Sequence, residues 1–284
     1  MLILVDLNQV MIANMMMSLG SHKNAPIDED MIRHMVLNSL RAYRTKFKDE
    51  FGELVICADD KNYWRRDIFP YYKASRKKNR EESELDWSAV FQALDSIKAD
   101  LKEIFPYKVI QIPTAEADDI IGTLVHEFGQ VLNGKEKILI LSGDKDYIQL
   151  HKYGNVKQYD PTRKRFIEHA DPEHYLHEHI IKGDSGDGIP NIRSADNVFV
   201  LRIRQKPITQ KLLGQWCTLN TMEDDIKRNW DRNSALIDLT RVPEDIQGEI
   251  MSAYAEEVEG DRSKLMKYFM THKLKHLMSS IGDF

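Results

Sequence analysis

Four short apolar runs limit what this chain can fold into: LILV (2–5), LVICA (54–58), KVIQI (108–112) and KILILS (137–142). A strand buried on both faces reads as an unbroken apolar run, and such strands belong to parallel sheets covered by helices. The stretches between the runs carry helical spacing. Residues 31–48 hold Met31, Met35, Leu37 and Leu40, and residues 117–131 hold Ile120, Ile121, Leu124, Val125, Phe128 and Val131. Trp87, Phe91, Leu94, Ile97, Leu101 and Ile104 follow one another at steps of three and four. Strands alternating with helices predict an α/β fold with a central, mainly parallel sheet flanked by helices. A β-ribbon is expected next, from NVKQYD (155–160) through a Pro-Thr turn to KRFIEH (164–169). From residue 172 the chain reads as helical, punctuated by Pro172, Pro190, Pro207 and Pro243. The expected division is an α/β core over 1–180, with a bridging segment over about 61–90, and a helical C-terminal region over 181–284. Met15, Met16 and Met17 read as helix packing.

The acids follow the strands. LILV ends in Asp6, and LVICA ends in Asp59 and Asp60. KVIQI leads to Glu116, Asp118 and Asp119 in EADDIIG, and KILILS leads to Asp144 and Asp146. In a parallel sheet all carboxyl ends lie on one edge, where ligands bind. Helix capping explains one such segment, with Thr114 or Asp118 as the cap of the helix after EADD. It does not explain four. Converging carboxylates repel by several kcal/mol per close pair in a partly desolvated cleft, so they call for cations, and hard oxygen donors select Mg²⁺, Mn²⁺ or Ca²⁺. On a helical wheel Glu116 and Asp118 border the apolar stripe on opposite sides. Asp119 points away from it and is the weakest direct ligand of the three. A fifth segment, IKGDSGDGIPN (181–191), places Asp184 and Asp187 three apart among Gly183, Gly186 and Gly188. It reads as a helix stop with turn aspartates, and its glycines could also bring backbone N–H groups to a phosphate.

Charge is distributed unevenly. Residues 61–80, KNYWRRDIFPYYKASRKKNR, hold eight basic residues and one acidic residue in a chain of net charge −5. Tyr63, Trp64, Tyr71 and Tyr72 are interleaved among them. Cations neutralise phosphates and aromatic faces stack on unpaired bases, so this stretch points to nucleic acid; a solvated helix with snorkelling lysines is the plainer account.

Other chemistries are excluded. Cys57 and Cys217 are the only two cysteines and form no CxxC pair, which rules out a disulfide framework and a thiolate zinc site and fits a reducing compartment. There is no GxxxxGK[ST] phosphate loop and no nucleophilic Ser or Cys motif. His174, His177 and His179 fall on different faces of a helix starting at Asp171–Pro172, which argues against a histidine zinc site. The first ten residues, MLILVDLNQV, lack a basic start, and no stretch approaches the ~18 apolar residues of a membrane span, so a cytoplasmic protein is expected.

VDLNQ (5–9), VICADDKNYWRRDIFPYYK (55–73), EADD (116–119), LSGDKDYIQLHKYGNVKQ (141–158) and KGDSGD (182–187) occur in one order across nearly the whole chain. In this order they resemble the flap endonuclease / 5′→3′ exonuclease family, most closely its branch of T-even bacteriophage ribonucleases H; the ending HLMSSIGDF is also similar. The resemblance implies a nuclease removing 5′ ends or flaps, RNA primers on DNA included, in the cytoplasm of a phage's host. It implies a PIN-like core and a centre of two Mg²⁺, with Mn²⁺ able to substitute. Asp6, Asp59, Glu116, Asp118, Asp144 and Asp146 resemble its ligands, direct or through water, and Asp119, Asp184 and Asp187 resemble more distant members of the second site. YKASR (72–76) resembles the family's YKxxR, which gives Lys73 and Arg76 as phosphate contacts and Tyr72 as a base-stacking ring. Arg65, Arg66, Lys77, Lys78, Lys182 and Gly183 are further expected nucleic-acid contacts. Residues from about 74 to 90 would form an arch, and 180–215 a helix–turn–helix-like module that grips duplex. Here IRSADNVFV replaces the family's glycine-bearing hairpin, which puts a monovalent cation there in doubt.

Phosphodiester hydrolysis needs an activated water, charge relief on the phosphate and a stabilised leaving oxygen, which two cations about 3.5–4 Å apart can supply. On the family pattern Asp6, Asp59, Asp118, Asp144, Asp146, Lys73 and Arg76 carry the catalysis. A monomer is expected, with a single-strand-binding protein or a polymerase clamp as partners. The alternatives are a catalytically silent flap- or junction-binding protein and a PIN-like ribonuclease acting on single-stranded RNA.

Overall fold

The computed structural model describes residues 1–19, 28–131, 136–218, 223–258 and 260–284, and the side chains of residues 18, 19, 77–79, 131, 217 and 218 lie outside that description. Six strands make one sheet: β1 (Leu2–Asp6), β2 (Leu54–Cys57), β3 (Lys108–Ile110), β4 (Ile138–Leu141), β5 (Val156–Asp160) and β6 (Arg165–Ile167), in the order β3-β2-β1-β4-β5-β6. The first five strands run parallel, and β6 returns antiparallel through the expected ribbon. Leu4 sits beside Val55 on one side and Ile140 on the other, so the three apolar runs stack as a continuous centre.

Alternate residues of each strand feed opposite layers. Ile3, Val5, Leu54, Ile56, Leu139 and Leu141 face one core, which α1 (Leu7–Leu19), α2 (Glu29–Phe51) and α5 (Trp87–Glu103) cover. Leu2, Leu4, Val55, Cys57, Ile138 and Ile140 face the other, covered by α6 (Ala117–Val131) and α10 (Glu244–Ala255). Burying each of these side chains is worth about 1.5–3 kcal/mol, which outweighs any local propensity. The expected helix over 31–48 is longer than its apolar pattern. Asp28 caps it by accepting the Met31 N–H at 3.0 Å, and Gly52, at φ 86°, ends it. Met15 is buried as expected, whereas Met16 and Met17 are exposed.

Two short helices, α3 (Arg65–Ile68) and α4 (Ala74–Glu81), lie between β2 and α5. After β6 come α7 (Pro172–Lys182), α8 (Gln210–Thr218), α9 (Asp224–Ile237), α10, α11 (Leu265–Thr271) and α12 (Lys275–Met278). The expected helix–turn–helix-like segment is α7, a mostly non-helical stretch over 183–209 and α8. The last twenty residues return to the α/β core: Leu265, Phe269, Leu277 and Phe284 share one buried cluster with Ile3, Val36 and Phe105. No described helix is long and apolar enough to cross a membrane.

Phe284 packs against Phe105 and Phe269 at ring separations of 5.6 and 5.4 Å, and its carbonyl accepts the Arg262 guanidinium at 2.6 Å. Phe284→Ala is expected to cost about 3–5 kcal/mol in urea unfolding, with activity per folded molecule unchanged.

Candidate metal centre and nucleic-acid cleft

The carboxyl ends of β1, β2 and β4 and the start of α6 open into one cavity of about 610 Å³. Asp6, Asp59, Glu116, Asp118, Asp144 and Asp146 border it, and Asp184 and Asp187 enter from the turn after α7. Each acid is held by a local device. Asp6 accepts the Gln9 N–H and the Ser142 hydroxyl, both at 3.1 Å. Asp59 accepts the Asn8 amide at 2.5 Å and the Ala117 N–H at 2.7 Å, so it satisfies the open end of α6. Asp118 accepts the Tyr147 hydroxyl at 2.6 Å, and Asp144 takes the Asp146 N–H at 3.0 Å. Thr114 and Asp118 do not cap α6: Thr114 has φ 63° and gives its N–H to Asp60, while Asp119 accepts the Glu116 N–H at 2.9 Å.

Asp6, Asp59, Asp118 and Asp144 make no ion pair among the described residues. At Asp6 and Asp118 the consequence is a proton affinity above that of an ordinary carboxylate. Burial, then the charges of Asp59 and Asp144, push Asp6 up to about 7. Burial and Asp144 push Asp146 up to about 7. Burial, Asp144 and Asp6 push Asp118 well up. Asp6 is buried, Asp59 and Asp118 are half-buried and Asp144 is exposed at the cavity edge; carboxylate oxygens gathered there without a protein cation fit hard divalent ions. One donor atom each from Asp146, His179 and Asp184 lie within 4.8 Å of one another, so these three fit a second ion position.

A second layer of acids is neutralised by the protein itself. Asp119 is 0% exposed and Arg65 3%. Arg65 Nη2 lies 2.7 Å from Asp119 Oδ1, and Trp64 Nε1 donates to Asp119 Oδ2 at 3.0 Å. Asp119 therefore does not face the cavity and corrects the expectation of a metal ligand; the wheel placed it away from the apolar stripe, but α3 covers that side. Arg65 is corrected too, since its guanidinium also binds Glu116 and the Leu236 carbonyl and offers nothing to nucleic acid. Tyr72, 2% exposed, donates its hydroxyl to Glu116 at 2.7 Å and to Asp187 at 3.1 Å, so it presents no face to a base. Tyr63 lines the cavity instead. Glu116 is already held by Lys73, Arg65 and Tyr72.

Lys73 and Arg76 border the cavity as expected, but both are paired: Lys73 with Glu116 and, at 3.4 Å, with Asp187, and Arg76 with Asp187. Arg66 is exposed beside the Tyr63 ring, at 5.0 Å, and Lys182 pairs with Glu178 on the surface. The side chains of Lys77 and Lys78 lie outside the described residues. Gly183 ends α7 at φ 67° and spends its N–H on the His179 carbonyl at 2.8 Å, and Gly186 gives its N–H to Asp184, so these two backbone groups are not free for a phosphate. Gly183 is required because a Cβ there would strike the Ile189 and Pro190 carbonyls.

Sequence reasoning missed His179, Asn8, Tyr147 and Ser142. His179 had one signal, its place in the last turn before GDSGD; its ring nitrogens lie 3.4 Å from Asp146 and 3.5 Å from Asp184. Burial lowers its basicity, but Asp184 and Asp146 outweigh that and raise its pKa.

A mostly parallel sheet with a crowded acidic edge and basic side chains in the same cavity defines an α/β protein with a candidate cation site. The family described as "5'-3' exonuclease, N-terminal resolvase-like domain" matches residues 2–180, and "T4 RNase H, C terminal" matches residues 170–284. Ribonuclease H of Enterobacteria phage T4 is 32% identical over 99% of this chain and 95% of its own length. Flap endonuclease Xni of Shewanella sp. (strain MR-4) is 27% identical over 49% of this chain and 51% of its own length. Bacteriophage T5 D15 flap endonuclease, solved as a pseudo-enzyme–product complex with DNA and metal ions, aligns with a TM-score of 0.63 at 16% identity, over 90% of this chain and 99% of that one. The chain belongs to the 5′–3′ exonuclease family and carries the C-terminal domain of the T4 ribonuclease H branch. It is a nuclease.

Two outcomes test this electrostatic layout. Asp119→Ala leaves a buried Arg65 without its main partner and is expected to cost about 3–5 kcal/mol in urea unfolding. The raised carboxyls work in the opposite sense. Their folded pKa values exceed the unfolded value of 3.8, so their contribution to stability is full below about pH 4 and is lost as pH rises through about 7 in metal-free protein. Asp146→Asn cannot ionise. In EDTA it is expected to melt a few degrees above the wild type at pH 8, with the gap narrowing toward pH 4 in thermal scans.

Proposed function

We propose that this chain is a divalent-cation-dependent 5′→3′ nuclease that hydrolyses phosphodiesters at 5′ ends or flaps of DNA and RNA–DNA duplexes and removes RNA primers during replication. The observation that carries this reading is the charge pattern of one cavity. Four carboxylates without protein counter-ions among the described residues line it together with Lys73, Arg76 and Arg80. Family membership supplies the polarity and the substrate class.

Asp6, Asp59, Asp118 and Asp144 would hold one Mg²⁺, and Asp146, His179, Asp184 and Asp187 would border a second, with Mn²⁺ able to substitute for both. Bound there, the two ions would supply water activation and relief of charge on the leaving 3′-oxygen. The protein's own part is positional. Ser142, Tyr147, Gln9 and Asn8 fix the carboxylates by hydrogen bonds from neutral donors, which leaves their charge for the cations. Lys73 and Arg76 would exchange a carboxylate partner for a phosphate oxygen as substrate enters, adding positive charge where negative charge develops. No side chain need act as a general base. The stretch from α7 to α8 would grip duplex, with Lys182 on its surface. Each centre draws its acids from one chain, which supports a monomer; single-strand-binding protein and clamp partners belong to the same replicative role.

The test uses a 5′-labelled flap and an RNA-primed duplex. Short 5′ products are expected with Mg²⁺ and none with EDTA. Asp144→Asn and Asp146→Asn are each expected to lower the rate at least about a hundredfold with folding intact. Full activity in both variants would sink the metal-centre assignment, and tight flap binding without cleavage by the wild type would instead mark a binding protein.

A further inference from the structure

Phe91 belongs to the apolar stripe of α5, yet it is 41% exposed while its neighbours Val90 and Leu94 are buried. Its ring does not join the core. It stands in the wall of the acidic cavity, where Trp87 lies 5.7 Å away at an interplanar angle of 33° and the Arg80 guanidinium of α4 lies 5.4 Å over the ring. Arg80 makes no ion pair among the described residues, unlike Lys73 and Arg76. A second cavity of about 370 Å³ continues beyond this group and shares Asn8, Ile12, Asp59, Tyr63, Arg80 and Phe91 with the first. Among the described residues, none of the C-terminal helices borders it. Phe91 and Arg80 therefore border both cavities, whereas Asp184 and Asp187 border only the first.

We infer that Phe91, backed by Trp87 and flanked by Arg80, is a stacking platform for the unpaired bases of the substrate's 5′ strand. The inference rests on the reading above, in which duplex lies toward the C-terminal helices. A strand that passes the carboxylates then leaves its single-stranded end against Phe91. An exposed ring beside an unpaired guanidinium suits this occupant. Base–aromatic stacking accepts every base, and the guanidinium can stack on the base or meet its phosphate. A ring this exposed adds little to folding, so its removal should leave the protein intact.

The experiment uses DNA flaps carrying 2-aminopurine at the first or second unpaired position, bound in Ca²⁺ under conditions where no product forms. Wild-type protein is expected to quench the probe, Phe91→Ala to lose the quench and Phe91→Trp to keep it. In Mg²⁺, Phe91→Ala is expected to raise KM for the flap about tenfold with kcat little changed. It should leave cleavage of a 5′-recessed duplex end unaltered, and should match the wild type on a flap abasic at those positions. Quenching retained in Phe91→Ala, or an abasic flap bound by the wild type as tightly as a normal one, would overturn the platform while leaving the nuclease reading in place. Failure of the wild type to bind any flap would overturn both.

Discussion

The constraint that organises this protein is Coulomb repulsion at the carboxyl edge of its sheet. A parallel arrangement of β1, β2 and β4 forces Asp6, Asp59 and Asp144 to one edge, and α6 adds Glu116, Asp118 and Asp119. The chain answers by dividing the acids into two sets. Asp119 and Glu116 are neutralised from behind by Arg65 and Lys73, in a buried network that also takes in Tyr72 and Trp64. Asp6, Asp59, Asp118 and Asp144 receive only neutral donors, so their repulsion remains and a cation is the natural complement. Had Arg65 and Lys73 been placed among the second set, the edge would be more stable and less able to bind metal.

The sheet was legible in the sequence because its strands are buried on both faces. The continuous runs around Leu4, Ile56 and Ile140 admit no exposed alternative, and their shared direction followed from the helices between them. The carboxyl-edge acids were legible for the same reason: strand direction alone brings them together. Element ends were less so, because Asp28 and Gly52 set the limits of α2 by backbone chemistry that apolar periodicity does not record.

What the sequence hid depends on contacts between distant segments. A helical wheel sees only one helix, so the side of Asp119 away from the apolar stripe looked like solvent, when α3 supplies Arg65 there from more than fifty positions upstream. The basic stretch 61–80 looked like one uniform phosphate-binding surface. It divides instead into inward groups, Arg65 and Tyr72, and outward or cleft-facing ones, Arg66, Lys73, Arg76 and Arg80. The spacing of the three histidines of α7 argued against a site made of them alone. It could not show that one of them, His179, lies 3.4 Å from Asp146.

The basic segment and the GDSGD turn act as one unit. Lys73, at φ 55°, gives its N–H to the Asp187 carbonyl at 2.7 Å, and Gly188, at φ 74°, lies against the Tyr71 carbonyl, where a larger residue would be crowded. Arg76 then closes on the Asp187 side chain. The same aspartate thus fixes the start of α4 through its backbone and holds a cation of α4 through its carboxylate. The backbone bond is made by the buried Lys73, whereas Arg76 is 46% exposed at the cavity. A phosphate arriving between the carboxylates and α4 can therefore draw Arg76 from Asp187 without loosening the root of the segment. Asp187 thus joins Lys73, Arg76 and the Tyr72 hydroxyl, and none of these contacts involves a strand of the sheet.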